Sequence, residues 1–302
     1  MATLKGQNFR IMNQRGQTAM TCIGMATNCV VTLGTNQEDA STKDTLSMAS
    51  HPTIVSKNWS VQVDSLNVTD TAAFLTAIKS LTLFELLWDE TSTTDNQTNE
   101  LASFSRIGKA YLTDATFQFD DRTNSTKSLQ FSGVGGLSTI QNAGSTYTPS
   151  ETFTKGQFVR LLLSSDNTTA PSSVIAAARQ LSLHVSVSLE NATTKDTEGD
   201  WEVQEPTALN YDISTTALVR SGDTITSAVG AKDLSDLETI YENATPVKWK
   251  IANTSGANNR TVGSTIVSGS CLIQTLTING QNRQAATYTA QLVGYDTYTV
   301  GE

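Results

Sequence analysis

The chain has 302 residues, a net charge of −9, and only 16% charged against 38% hydrophobic residues. Residues 1–150 carry 10 basic and 13 acidic side chains and the remainder 10 and 16. Neither half therefore has the clustered Lys and Arg that a grip on a phosphate backbone requires. No apolar run approaches membrane-spanning length, and Met1-Ala2-Thr3-Leu4-Lys5 leads into no apolar signal region.

In chain order, Lys5-Gly6-Gln7-Asn8-Phe9-Arg10 opens the protein, and Cys29, Val31 and Leu33 then alternate with Asn28 and Thr32. Period-two alternation predicts a strand with one buried face. A polar stretch of some two dozen residues follows, containing Glu38-Asp39-Ala40-Ser41-Thr42-Lys43-Asp44-Thr45. Loops of that length are functional or disordered. Trp59, Val61 and Val63 predict a second strand. Thr69-Asp70 offers a cap to a helix with Phe74, Leu75, Ile78 and Leu81 on one stripe. Ala115, Phe117 and Phe119 line a third strand, Asp120-Asp121-Arg122-Thr123-Asn124 a turn, and Leu129 and Phe131 a closing strand. Gly144 to Thr154 lacks periodicity and reads as a linker.

The sequence then repeats itself. Lys155-Gly156-Gln157-Phe158-Val159-Arg160 matches the opening, and Glu190-Asn191-Ala192-Thr193-Thr194-Lys195-Asp196-Thr197 matches the segment from Glu38, at a shift of about 152 residues. Leu181, Leu183 and Val185 answer Cys29, Val31 and Leu33, and Tyr211 and Ile213 answer Trp59 and Val61. Asp233, Leu234, Leu237 and Tyr241 answer the helix. Gly269, Cys271, Leu276, Ile278, Arg283 and Gly294 answer Gly108, Ala110, Ala115, Phe117, Arg122 and Gly133 at a shift near 161. The growing shift places an insertion near Ser221 to Val229. A period of half the chain is too long for a solenoid and fits two copies of one domain. The expected organisation is a domain over 1–145, a linker over 146–154 and a second domain over 155–302. Each copy is a mainly β sandwich or partial barrel with one short α-helix and a long extended arm.

The search for chemistry finds little. His51 falls in a loop and His184 on the polar face of a strand, neither with metal-ligand spacing. Cys22, Cys29 and Cys271 are an odd number without metal spacing, and Cys29, on a predicted buried face at the position of Leu181, reads as a small core hydrophobe. Gly133-Val134-Gly135-Gly136 follows a strand without opening a helix, so it lacks the context of a phosphate loop. Asp120-Asp121 reads as a solvated turn. The Asn-x-Ser/Thr triplets at Asn58, Asn67 and Asn191 follow from the Asn/Ser/Thr richness. No enzyme activity, catalytic residue, metal or cofactor is expected.

The order of elements resembles a known family. An opening Lys-Gly-Gln strand, a "Glu-x-x-x-Thr-Lys-Asp" arm, a Trp/Tyr-led strand, a short helix and a closing hairpin are similar to the major tail tube proteins of long-tailed bacteriophages, in the TP901-1-like branch. The resemblance covers about Lys5 to Gly136 and again Lys155 to Thr299. It implies a virion structural protein of the tail, assembled in the host cytoplasm. Its subunits would close into rings that stack as a hollow tube, joined to other tail proteins, with DNA passing through unbound. The arm would contact the adjacent subunit or ring through Glu38, Thr42, Lys43, Asp44, Glu190, Thr194, Lys195, Asp196 and Trp201. Two tube domains per chain, where family members carry one, imply three chains per pseudo-hexameric ring. The competing expectation is a two-domain β-sandwich adhesin or carbohydrate-binding module, marked by exposed aromatics clustered at one loop end.

Overall fold

The computed structural model describes residues 6, 9–14, 21–44, 50–66, 70–91, 99–100, 105–139, 154–197, 199–219, 230–255 and 261–301. Strand β1 (Phe9–Gln14) and the short β2 (Thr21–Cys22) precede a long hairpin of β3 (Ala26–Asp39) and β4 (Pro52–Leu66). Helix α1 (Thr71–Lys79), β5 (Leu83–Thr91), β6 (Asn99–Glu100) and the hairpin of β7 (Arg106–Gln118) and β8 (Thr126–Ser138) complete the first half. A 3-10 turn at Gly156–Phe158 leads into β9 (Val159–Leu163), β10 (Ser173–Ile175) and the hairpin of β11 (Ala178–Asn191) and β12 (Gln204–Leu218). Then come β13 (Ala231–Lys232), helix α2 (Leu234–Asn243), β14 (Val247–Ser255), β15 (Thr261–Asn279) and β16 (Thr287–Val300).

The protein is mainly β, and all these strands belong to one open sheet. Strand β7 joins its two halves. One edge of β7 pairs with β8 along its length. The other edge is shared: Arg106–Tyr111 pair with β5, and Asp114–Gln118 pair with Ser182–Ser186 of β11.

Corresponding strands pair in corresponding registers. Leu33 faces Trp59 and Val185 faces Tyr211. Ala115 faces Leu129 and Leu276 faces Ala290. Phe84 faces Ala110 and Val247 faces Cys271. Bulges fall between Leu112 and Asp114 and between Ile273 and Thr275. Left-handed backbone occurs at Met25 and Ala177, Leu81 and Ala244, Arg122 and Arg283, and Gly135 and Asp296. An L-residue in that region costs about 1–2 kcal/mol, so its recurrence at matching positions marks turns whose geometry the strands dictate.

The core lies between the apolar sheet face and the helices. Trp59 covers Gly108 and Gly133, and Tyr211 covers Gly269 and Gly294. Each ring lies where a Cβ would stand, which explains both glycine pairs. The Trp59 indole N–H donates to Gly135 O at 3.0 Å, and the Tyr211 hydroxyl to Ser270 O at 2.5 Å. Helix α1 buries Phe74, Leu75, Ala77 and Ile78 and packs on β7 and, across the join, on β11, β15 and β16. The buried Tyr298 hydroxyl donates to Leu75 O at 2.8 Å. Strand β5 carries successive buried residues, Leu86, Leu87 and Trp88. Burial of both faces erases alternation, so the pattern of Trp59 or Val185 is missing there.

Several expectations are corrected. The polar stretch after Leu33 is not a structureless loop, because β3 and β4 remain paired out to Asp39 and Pro52. Both faces of that ribbon are solvated, so strand pairing leaves no hydrophobic period. Asp70 precedes α1 without a side-chain capping bond. Its carboxylate instead takes the buried Lys127 ammonium at 2.5 Å. Asp233 does cap α2, through a reciprocal box with Asp236. Tyr241 is exposed, and the apolar stripe of α2 is Leu237 and Ile240. Leu81 follows α1 in a turn and is exposed. Cys29 is half-buried, while Cys271 lies in the core with its thiol pushed up by burial to about 12. The insertion near Ser221–Val229 and the linker up to 153 lie outside the described residues.

Candidate functional site

The described residues contain no group of three or more His, Cys, Asp and Glu placed to hold a metal. What the fold builds instead are a polar sheet face, two arms and two strand edges.

The polar face crosses the join between the halves. His184 on β11 stands between Asp114 on β7 and Asp212 on β12. Its Nε2 lies 2.6 Å from an Asp114 oxygen and its Nδ1 2.7 Å from an Asp212 oxygen. Burial alone lowers the imidazole pKa, but the hydrogen bonds and charges of Asp114 and Asp212 outweigh it, and the net shift is upward. With a carboxylate at each nitrogen, both ring N–H groups donate, which is the imidazolium form. Asp64 lies on the same face, hydrogen-bonded to Ser128, Asn28 and Gln62. The Ser128 hydrogen bond lowers its pKa, against the opposing effect of burial. Between these acids the face shows Ser60, Thr116, Gln130, Ser182, Ser186 and Ser214. Asp212 stands opposite His184 in the β11–β12 hairpin, but Asp114 reaches it only through the β7–β11 contact, so the complete triad could not be found without the topology.

The arm tips share one local device. Thr42 Oγ1 accepts the Asp44 N–H, and Thr194 Oγ1 accepts the Asp196 N–H, each at 3.3 Å. A Thr hydroxyl closing a turn on the residue two ahead is a sufficient reason for Thr-x-Asp to recur. Glu38, Thr42, Lys43, Asp44, Glu190, Thr194, Lys195 and Asp196 are all exposed. Glu38 sits in the β3–β4 ladder opposite Thr53, and Glu190 opposite Glu205 in β11–β12. His51 is also exposed, its N–H donating to the Asp39 carboxylate.

Trp201 behaves differently from those tip residues. It bridges to Lys57 of the first half and its indole lies over Gly136. Beside it, Lys57 pairs with Asp200 at 3.1 Å, and the Glu202 carboxylate accepts from Asn36 and Ser56 at 2.7 Å each. Gly135 N–H donates to Glu202 O at 2.9 Å. The second arm thus lies against the first half's ribbon through Asp200, Trp201 and Glu202. Of these the sequence pointed only to Trp201.

No protein family and no curated protein matches the chain. Among solved structures, a subunit from the tail of an empty gene transfer agent particle with C6 symmetry is 15% identical, covering 49% of this chain and 98% of its own, at a TM-score of 0.38. A subunit of the native gene transfer agent virion is 13% identical with the same coverages and a TM-score of 0.35. The SPP1 tail tube protein is 16% identical, over 49% of this chain and 78% of that one, at 0.34. Likenesses this distant leave the chain's own geometry to carry the functional reading.

Proposed function

We propose that this chain is a structural, non-enzymatic subunit of a phage-type tail tube, in which rings of the chain stack into a hollow conduit for DNA. The observation that carries the proposal is the join between β7 and β11, where two units of matching register continue one sheet inside a single chain. A sheet left open at its ends exposes unpaired backbone groups, and ring closure removes such edges. The two units are read as copies of one tube domain, over 1–145 and 155–302. Three chains then supply six domain positions. The family resemblance in the sequence points the same way, with other tail proteins as further partners.

The polar face carrying Asp64, Asp114 and Asp212 lines the channel in this reading. The His184 imidazolium on this face is held by a carboxylate at each ring nitrogen, so it is neutralised rather than offered to DNA, and repulsion from the acids reaches only a Debye length of about 8 Å at physiological salt. The arm tips, with Lys43–Asp44 and Lys195–Asp196, contact neighbouring subunits or stacked rings. Among the described residues, a carbohydrate-binding reading gains no support from the exposed aromatics: Phe158, Tyr241 and Tyr295 lie on the 3-10 turn, α2 and β16, not on one loop end. Negative-stain microscopy of the purified protein tests the proposal, with mass measurement of isolated rings. Rings of three 32.4 kDa chains are expected. Six chains per ring would overturn the stoichiometry, and a monomer at high concentration would overturn the tube.

A further inference from the structure

Two strand edges are unpaired among the described residues. Strand β3 pairs only with β4. Strand β15 pairs with β14 only as far as Cys271, which leaves Leu272–Asn279 with β16 alone. These are the counterparts of the two edges that meet inside the chain, since β3 corresponds to β11 and this part of β15 to Asp114–Gln118 of β7. Burial differs accordingly. At the internal join Val185 and Phe117 are 0% exposed, whereas their counterparts Leu33 and Ile278 are 63% and 52% exposed. The helices repeat the contrast: Ile78 is 1% exposed and its counterpart Tyr241 is 50% exposed.

A glycine gives an independent reading. At the internal join the hairpin after β7 sits directly on Gly156, whose amide donates to Thr123 O. A Cβ on Gly156 would overlap the Asp120 backbone, so only glycine fits. Its counterpart Gly6 has nothing within 4 Å of a Cβ position. The residue that needs no side chain in one half is present in the other, with no surface against it.

We infer that a second copy of this chain supplies both missing surfaces, pairing its β3 antiparallel to β15 in the register of the internal join. Transferred residue by residue, that register sets Leu33 opposite Leu276, Thr32 opposite Thr277 and Val31 opposite Ile278. The Asn279–Arg283 turn of one chain then rests on Gly6 of the next, and α2 covers the neighbour's β3 as α1 covers β11. The contact is head-to-tail, so it closes a ring or runs on as a helix according to its angle. It deepens the tube reading and rests on it for its setting.

Two measurements test it on the full chain. With Cys22→Ala and Cys29→Ala as background, Thr32→Cys plus Thr277→Cys is oxidised under assembly conditions. Interchain disulfide ladders are expected, and far fewer from the out-of-register control Thr32→Cys plus Thr275→Cys. Separately, Gly6→Leu is expected to melt like the parent yet lose ring or tube formation, whereas Gly156→Leu lowers the melting temperature itself. Rings or tubes that form without in-register cross-linking, or that tolerate Gly6→Leu, would overturn the inferred seam and leave the tube reading standing. A parent chain that stays monomeric throughout would overturn both.

Discussion

At the scale of single residues, two ionic contacts sit where elements from different parts of the chain meet. His184 holds β7 and β12 to β11 through Asp114 and Asp212. Its pKa is raised in the fold, so its contribution is fully present below the ordinary value of 6.5 and is lost as pH rises through the folded value. Melting is expected to fall as pH rises above about 6.5 in the parent. In His184→Gln that fall is smaller, as parallel scans across the range would measure. An unchanged slope would mean that the triad contributes nothing to the join. Lys127 presents the opposite situation, an ammonium with 0% side-chain exposure whose partner is Asp70 and which lies 5.0 Å from the Phe74 ring centre. Removing one member of such a pair strands the other, so Asp70→Asn is expected to cost about 3 kcal/mol in a urea titration. A loss below about 1 kcal/mol would mean the ion pair behaves like an exposed one.

At the scale of elements, packing of one large ring onto two glycines recurs in both hairpins and is sensitive to a single methyl group. In Gly133→Ala the new Cβ would overlap the Trp59 indole, and overpacking of this kind costs about 1–3 kcal/mol. Adding Trp59→Tyr, the ring found at Tyr211, is expected to recover part of that loss. Equal melting of the single and double variants would show that the indole is not what excludes the side chain. The same elements show what could be read beforehand. Strands with one dry face, such as those of Val185 and Trp59, announced themselves by alternation, as did the matching turns at Arg122 and Arg283. The outer ribbons of the arms did not, because a strand wet on both faces has no hydrophobic period. Strand β5, where Leu86 to Trp88 are buried in succession, was hidden for the converse reason. Tyr241 was placed on the apolar stripe of α2 by spacing, and its exposure reflects a face with nothing described against it. Asp212 is 28 residues from His184 and Asp114 is 70; the β11–β12 hairpin sets Asp212 opposite His184, and only the pairing of β7 with β11 could add Asp114 to the cluster.

At the scale of the whole molecule, one chain contains one completed join and the two edges of another. Joining two units covalently makes the first contact intramolecular, with an effective concentration that free subunits reach only at high total concentration. The internal join also carries the His184 triad, whereas the corresponding residues of the proposed seam are Thr32, Ser60 and Thr275. The arms add a further layer. The second arm already lies on the first half through Asp200, Trp201 and Glu202, which leaves its tip, with Lys195 and Asp196, exposed beyond that contact. The first arm presents Lys43 and Asp44 on the same Thr-closed turn. Each exposed ion pair contributes only about 0.2–1 kcal/mol, yet a polymer repeats the contact in every ring, and charged pairs fix register more than they add affinity. Reversing both tips, with Lys43→Glu and Lys195→Glu, keeps the turns, because Thr42 and Thr194 still accept the following N–H groups. The melting temperature is therefore expected to stay at the parent value while tubes shorten or fail to form, as micrographs and sedimentation of the same preparations would measure. Tubes of normal length would mean that the Thr-Lys-Asp sequence recurs for its turn alone and that stacking is carried elsewhere on the arms.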